Sequence, residues 1–184
     1  MSVPQDLYFI AIVPPEPVFS ELQELRHHFS EKYNSSHALK SPPHVTLISP
    51  FSLNDGKEEE LKSILKEFSE GYTDIEIELE NFSTFGTKVI FVDVSKTEGL
   101  INIQQDLEKV TRSKGDIFNY NYDERSYHPH MTLAFKDLSK KNFHKAWKKF
   151  KDRTYHASFV AGAITLLKHN GKRWKVRDQF NLVE

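Results

Sequence analysis

Two five-residue frames, Pro43-His44-Val45-Thr46-Leu47 and Pro129-His130-Met131-Thr132-Leu133, constrain this chain more than any other feature. Side chains alternate along a strand, so a histidine and a hydroxyl two positions apart share one face. Val45 and Leu47, or Met131 and Leu133, then turn to the opposite face and into a core. The frames begin 86 residues apart in a chain of 184. That spacing predicts two related halves, each contributing one such strand, with two imidazoles and two hydroxyls gathered around one small polar hollow.

A single His-x-Thr triplet carries little weight, because with 9 histidines and as many threonines composition alone yields about 0.4 of them. Two copies in the same proline and leucine setting are far harder to reach by accident. His156-Ala157-Ser158 is a similar triplet without that setting, and it is assigned no role.

Periodicity places the frames in an α+β chain. Leu7 to Val13 is a β-rich apolar run closed by Pro14-Pro15. Residues 16–33 carry Val18, Leu22, Leu25 and Phe29 at helical spacing, and residues 57–71 carry Leu61, Ile64, Leu65 and Phe68. Residues 97–113 (Leu100, Ile103, Leu107, Val110) and 139–151 (Phe143, Trp147, Phe150) read as two further helices. Pro42 to Phe51 and Tyr127 to Phe135 read as the motif strands. Ile75–Leu79 and Val89–Val94 form a hairpin around Gly86, and Phe159–Leu167 with Lys172–Val176 forms another across Asn170-Gly171. The order helix, motif strand, helix, hairpin thus occurs twice. The expected architecture is a bilobal α+β duplication with pseudo-two-fold symmetry, antiparallel sheets, flanking helices and a central cleft. Residues 1–184 are read as one domain of two interleaved lobes, with 114–125 as a mobile loop.

Composition narrows the chemistry. Apolar residues make up 38% and charged residues 28%, as in a globular protein. Net charge is −1, which offers no basic surplus for duplex DNA. The absence of cysteine removes thiolate nucleophiles and Cys-based zinc sites. The N-terminus lacks a secretory pattern and no run is long enough to span a bilayer, so a cytoplasmic monomer is expected.

A histidine can take or give a proton near neutral pH. Two of them flanking one phosphorus suit in-line displacement on a phosphodiester, with Thr46 and Thr132 donating hydrogen bonds to the non-bridging oxygens. This arrangement requires no metal and no cofactor.

The doubled frame, the opening strand Leu7–Val13 and the run Tyr127-His128-Pro129-His130-Met131-Thr132-Leu133-Ala134 resemble the 2H phosphoesterase superfamily, in particular its LigT-like branch of 2′-5′ RNA ligases and cyclic phosphodiesterases. The resemblance implies metal-independent hydrolysis of 2′,3′-cyclic phosphate or 2′-5′ phosphodiester bonds in nucleotides or RNA ends. Carried onto this chain, it makes His44 and His130 the catalytic pair and Thr46 and Thr132 the phosphate ligands. It further suggests that His130 activates the nucleophile and His44 protonates the leaving oxygen. One departure stands out: many members place Arg directly after the Ala of the second frame, where this chain has Phe135 and then Lys136.

Lys40, Tyr127, His128 and Lys136 are further candidates for substrate contact. Phe91, Tyr127 and Trp174 are candidates for base stacking, although core packing is the better reading of Phe91. The lysines of 140–151 read as a solvated helix face. Two competing functions remain: an RNA-end or nucleotide binding module without turnover, and a metallohydrolase using His44, His128 and His130.

Overall fold

The computed structural model describes residues 6–119 and 126–183. Nine strands and four helices are formed among them. The first half of the chain supplies β1 (Leu7–Ile12), α1 (Val18–Tyr33), β2 (Val45–Leu53), α2 (Glu58–Ser69) and β3 (Ile75–Phe85). The second half supplies β4 (Val89–Val94), α3 (Glu98–Ser113), β5 (Phe118–Asn119), β6 (His130–Ala134), α4 (Lys140–Phe150), β7 (His156–Ala161), β8 (Ala163–His169) and β9 (Trp174–Asn181). A single 3-10 turn, His37–Lys40, precedes the first motif.

The strands form two antiparallel sheets, in the orders β5-β2-β1-β8-β9 and β6-β4-β3-β7. The halves repeat a strand–helix–motif strand unit, β1-α1-β2 and β4-α3-β6. Each half also sends strands across: β3 joins the sheet of β4 and β6, and β5, β8 and β9 join the sheet of β1 and β2. The expected α+β, pseudo-two-fold arrangement is therefore present.

Alternation explains how the sheets carry a core on one face and a site on the other. Tyr8, Ile10 and Ile12 of β1 enter the main core, while Phe9 and Ala11 turn the other way and pack with Leu167 and Trp174. Val45 and Leu47 of β2 and Met131 and Leu133 of β6 are buried in the main core, as the frames predict. Each such side chain contributes roughly 1.5–3 kcal/mol of apolar burial. In β4, Ile90, Val92 and Val94 face the core, and Phe91 and Asp93 lie opposite Thr132 and His130 of β6.

Four details differ from the sequence reading. The apolar run Phe159–Leu167 is two strands in different sheets: the chain passes from β7 to β8 at Gly162, and β8 pairs with β9 across the Asn170-Gly171 turn. Each motif strand begins only at or just after its histidine, since a proline immediately before it has no N–H to give to a ladder. Part of the expected loop is ordered, Phe118 and Asn119 pairing with Leu53 and Ser52, while residues 120–125 lie outside the described set. The buried stripe of α1 is Val18, Leu22, Arg26, Phe29 and Tyr33, with Arg26 rather than Leu25 fully inside.

No helix among the described residues is long and apolar enough to cross a membrane.

Candidate active site

His44 lies at the entry to β2 and His130 at the first position of β6. Both histidines anchor themselves in the same way. Nδ1–H of His44 donates to the carbonyl of Pro42 at 2.7 Å, and Nδ1–H of His130 donates to the carbonyl of His128 at 2.7 Å. A carbonyl only accepts, so both Nδ1 atoms carry hydrogen and both neutral rings present an Nε2 lone pair. Neither Nε2 has a hydrogen-bond partner among the described residues.

Aromatic rings fix the imidazole planes. Phe9 packs on His44 with ring centroids 4.8 Å apart and is itself backed edge-on by Trp174 at 4.7 Å. His130 packs beside a pair of phenylalanines, Phe91 at 5.0 Å and Phe85 at 4.9 Å, which lie 4.3 Å from each other. Phe91 is buried, as its core reading requires, and still forms one wall for His130.

A cavity of about 240 Å³ opens beside the first motif. Its walls include His44, Thr46, Thr132, Lys40, Lys136 and Arg26. His130 is not part of that wall; it flanks the cavity two residues before Thr132 on the same face of β6. A proton on His130 would repel one on His44, which adds a small part to the lowering of the His44 pKa.

Three ties hold the motif segments together. Tyr127 Oη donates to the Thr46 carbonyl at 2.8 Å. Arg26 Nε donates to the Thr132 carbonyl at 3.0 Å, and its Nη1 to the Ser41 carbonyl at 2.8 Å. The Asp137 carboxylate accepts from Ser35 Oγ (2.8 Å), Ser36 N–H (2.9 Å) and His37 N–H (2.8 Å), which caps the 3-10 turn ahead of the first motif. Tyr127 thus has a structural task between the strands. His128 is drawn aside: its Nε2 lies 2.9 Å from Asp93 Oδ1. Among the described residues no three His, Asp or Glu side chains converge to hold a metal, so His44, His128 and His130 do not form the alternative metal site.

The electrostatics are asymmetric. Burial, with Arg26 adding to it, pushes the His44 pKa down to about 4, against the Pro42 carbonyl that favours the charged ring. His130 is also lowered, mainly by burial, while Asp93 works in the opposite direction. Both imidazoles are neutral at pH 7 in the empty site. Sequence reading missed Arg26, His37 and Phe9, all of which line the cavity. Arg26 carried a signal, a charged residue on the apolar stripe of α1; His37, inside an irregular segment, carried none.

The family model described as the 2′-5′ RNA ligase superfamily matches residues 14–173. The chain belongs to the 2′-5′ RNA ligase superfamily. A Staphylococcus saprophyticus protein named "Putative phosphoesterase" is 27% identical over 177 residues, covering 94% of this chain and 97% of its own. A Staphylococcus aureus protein of the same name is 25% identical over 178 residues, with the same coverage. Among solved structures, a Thermus thermophilus protein aligns with TM-score 0.68 at 17% identity, covering 96% of this chain and 97% of that one. Escherichia coli LigT in complex with 3′-AMP aligns with TM-score 0.62 at 19% identity, covering 99% and 100%. This superfamily member therefore has the LigT-like fold.

Proposed function

We propose that this chain is a phosphoesterase that hydrolyses 2′,3′-cyclic phosphate or 2′-5′ phosphodiester bonds of nucleotides or RNA ends without a metal. The observation that carries the reading is the matched pair of imidazoles. Each is tied through Nδ1 to a carbonyl two residues earlier, each presents Nε2, and each stands at the start of the strand that carries one of the two threonines of the cavity wall. The membership of the superfamily and the phosphoesterase naming of its relatives support the reaction class. LigT crystallised with 3′-AMP, NADP+ and ATP supports a nucleotide substrate.

In this reaction one imidazole removes a proton from water through Nε2, the water oxygen attacks phosphorus, and the P–O bond to one ribose oxygen breaks. The second imidazole gives its Nε2 proton to that departing oxygen, leaving a phosphomonoester. Thr46 and Thr132 hydroxyls donate to the non-bridging oxygens as charge gathers there. In the order suggested by resemblance, His130 is the base and His44 the acid. That order needs His44 charged in the complex. Burial and Arg26 oppose this in the empty site, and the diester's own negative charge favours it.

A panel of 2′,3′-cyclic mononucleotides and 2′-5′ linked oligonucleotides, resolved by which ester opens, tests the proposal. Turnover is expected with EDTA present, with a bell-shaped pH profile and loss of roughly 10²-fold or more in His44→Ala and in His130→Ala. Undiminished turnover by the double variant overturns it. Saturable binding without product favours the binding-module reading.

A further inference from the structure

The 240 Å³ cavity has an unusual floor. Arg26 rises from the buried stripe of α1, and its side chain is only 1% exposed. Helix stripes bury arginine rarely, because an ionised group taken from water needs a partner of opposite charge. Arg26 has none. No carboxylate of the described residues forms an ion pair with it, and its two hydrogen bonds go to neutral carbonyls, those of Thr132 and Ser41. Two of its five N–H donors are thereby used. Nη2 is left without a partner among the described residues.

The position of this unmatched charge is informative. The two carbonyls belong to residues that line the cavity, and so does Arg26 itself, next to Thr46 and Thr132. Desolvation lowers the Arg26 pKa to about 9, which still leaves the group charged at neutral pH. A fixed cation and two hydroxyls around one hollow form a donor set for a tetrahedral oxyanion, with the guanidinium offering a paired fork; the neutral His44 ring beside them presents only an accepting Nε2 and joins the donors once it is protonated.

We infer that Arg26 is the anion-binding residue of the site: its free guanidinium edge receives a non-bridging phosphate oxygen, and the substrate's phosphate is the counterion that the fold withholds. The inference rests on the phosphoesterase reading and assigns a charge-bearing contact within it. It also gives the hydrogen bonds to Thr132 and Ser41 a second purpose. They hold the guanidinium in place before the anion arrives, so little ordering is left to be done on binding.

The probe is inorganic phosphate, titrated into the full chain and followed by NMR. In the unmodified protein the Arg26 Nε–H resonance is expected to move saturably, with the same midpoint as the His44 ring resonances. An Arg26 resonance that stays still while His44 responds overturns the inference. Arg26→Gln keeps donors for the carbonyls and removes the charge, whereas Arg26→Lys keeps the charge. Phosphate affinity is expected to fall at least about tenfold in the former and less in the latter. Equal affinity in Arg26→Gln and wild type, with melting temperature alone reduced, assigns Arg26 a purely structural role and overturns the inference. Should Arg26→Gln fail to fold, the resonance titration of the unmodified chain still decides. Failure of the phosphoesterase reading has a different signature, turnover surviving in the His44→Ala/His130→Ala variant.

Discussion

His44 and Arg26 show how neighbouring residues set one another's chemistry. His44 titrates near 4 in the folded chain and near 6.5 when unfolded. Between those values the unfolded state binds a proton that the native state refuses, so stability falls as pH drops from about 6.5 to about 4 and levels off below. The loss is about 3 kcal/mol. Chemical denaturation across that range should show the slope in wild type and a flatter one in His44→Gln. Thr46→Val and Thr132→Val preserve shape and remove a hydroxyl; each is expected to lower kcat/KM by roughly 10²-fold, with melting temperature almost unchanged. The His-x-Thr pairs were readable because two-residue alternation is a property of the backbone. Arg26 is not legible in the same way, since apolar periodicity favours its neighbour Leu25, which is only half-buried, for the buried stripe.

Elements set the separation of the two motifs. Asp137 stands just past β6 and caps the turn before β2, so it ties the exit of one motif strand to the approach of the other. Asp137→Ala is expected to cost about 1 kcal/mol and to reduce turnover by a larger factor than the melting shift implies, because the cavity wall carrying His37 and Lys136 loosens. Steady-state kinetics beside thermal melts of the variant check this. Glu58 does similar work for α2. Burial would raise its pKa, yet hydrogen bonds from Tyr8, Arg177 and Lys168 hold it down at about 2. A carboxylate lowered in this way stabilises above its unfolded pKa, near 4.3, and the contribution drains away as pH falls towards 2. Glu58→Gln should therefore lose stability at pH 7 and little at pH 2, a difference that denaturant titrations at the two pH values resolve. Helices and most strands were legible from periodicity. The division of Phe159–Leu167 was not, because an apolar run looks the same whether it serves one sheet or two.

At the scale of the whole molecule, the crossing strands make each sheet depend on both halves: β3 is paired on both sides within the sheet of β4, β6 and β7, and β8 likewise between β1 and β9. Residues 1–87 expressed alone lack β8 and β9, and residues 88–184 alone lack β3. Each fragment is expected to be largely unfolded by circular dichroism, with structure and turnover returning on mixing; a fragment that melts cooperatively by itself contradicts this. The duplication was legible from two tripeptides. The exchange of strands was not, because pairing partners distant in sequence leave no local trace. In the proposed phosphoesterase this wiring would also separate reaction from selectivity. The width of the gap between the imidazoles is governed by how the sheets are strapped together, at Tyr127, Arg26, Asp137 and the two crossovers, rather than by the tripeptides. On the proposed phosphoesterase reading, a scaffold of this kind could admit bulkier or slimmer esters by re-tailoring the straps while the two histidine frames stay as they are.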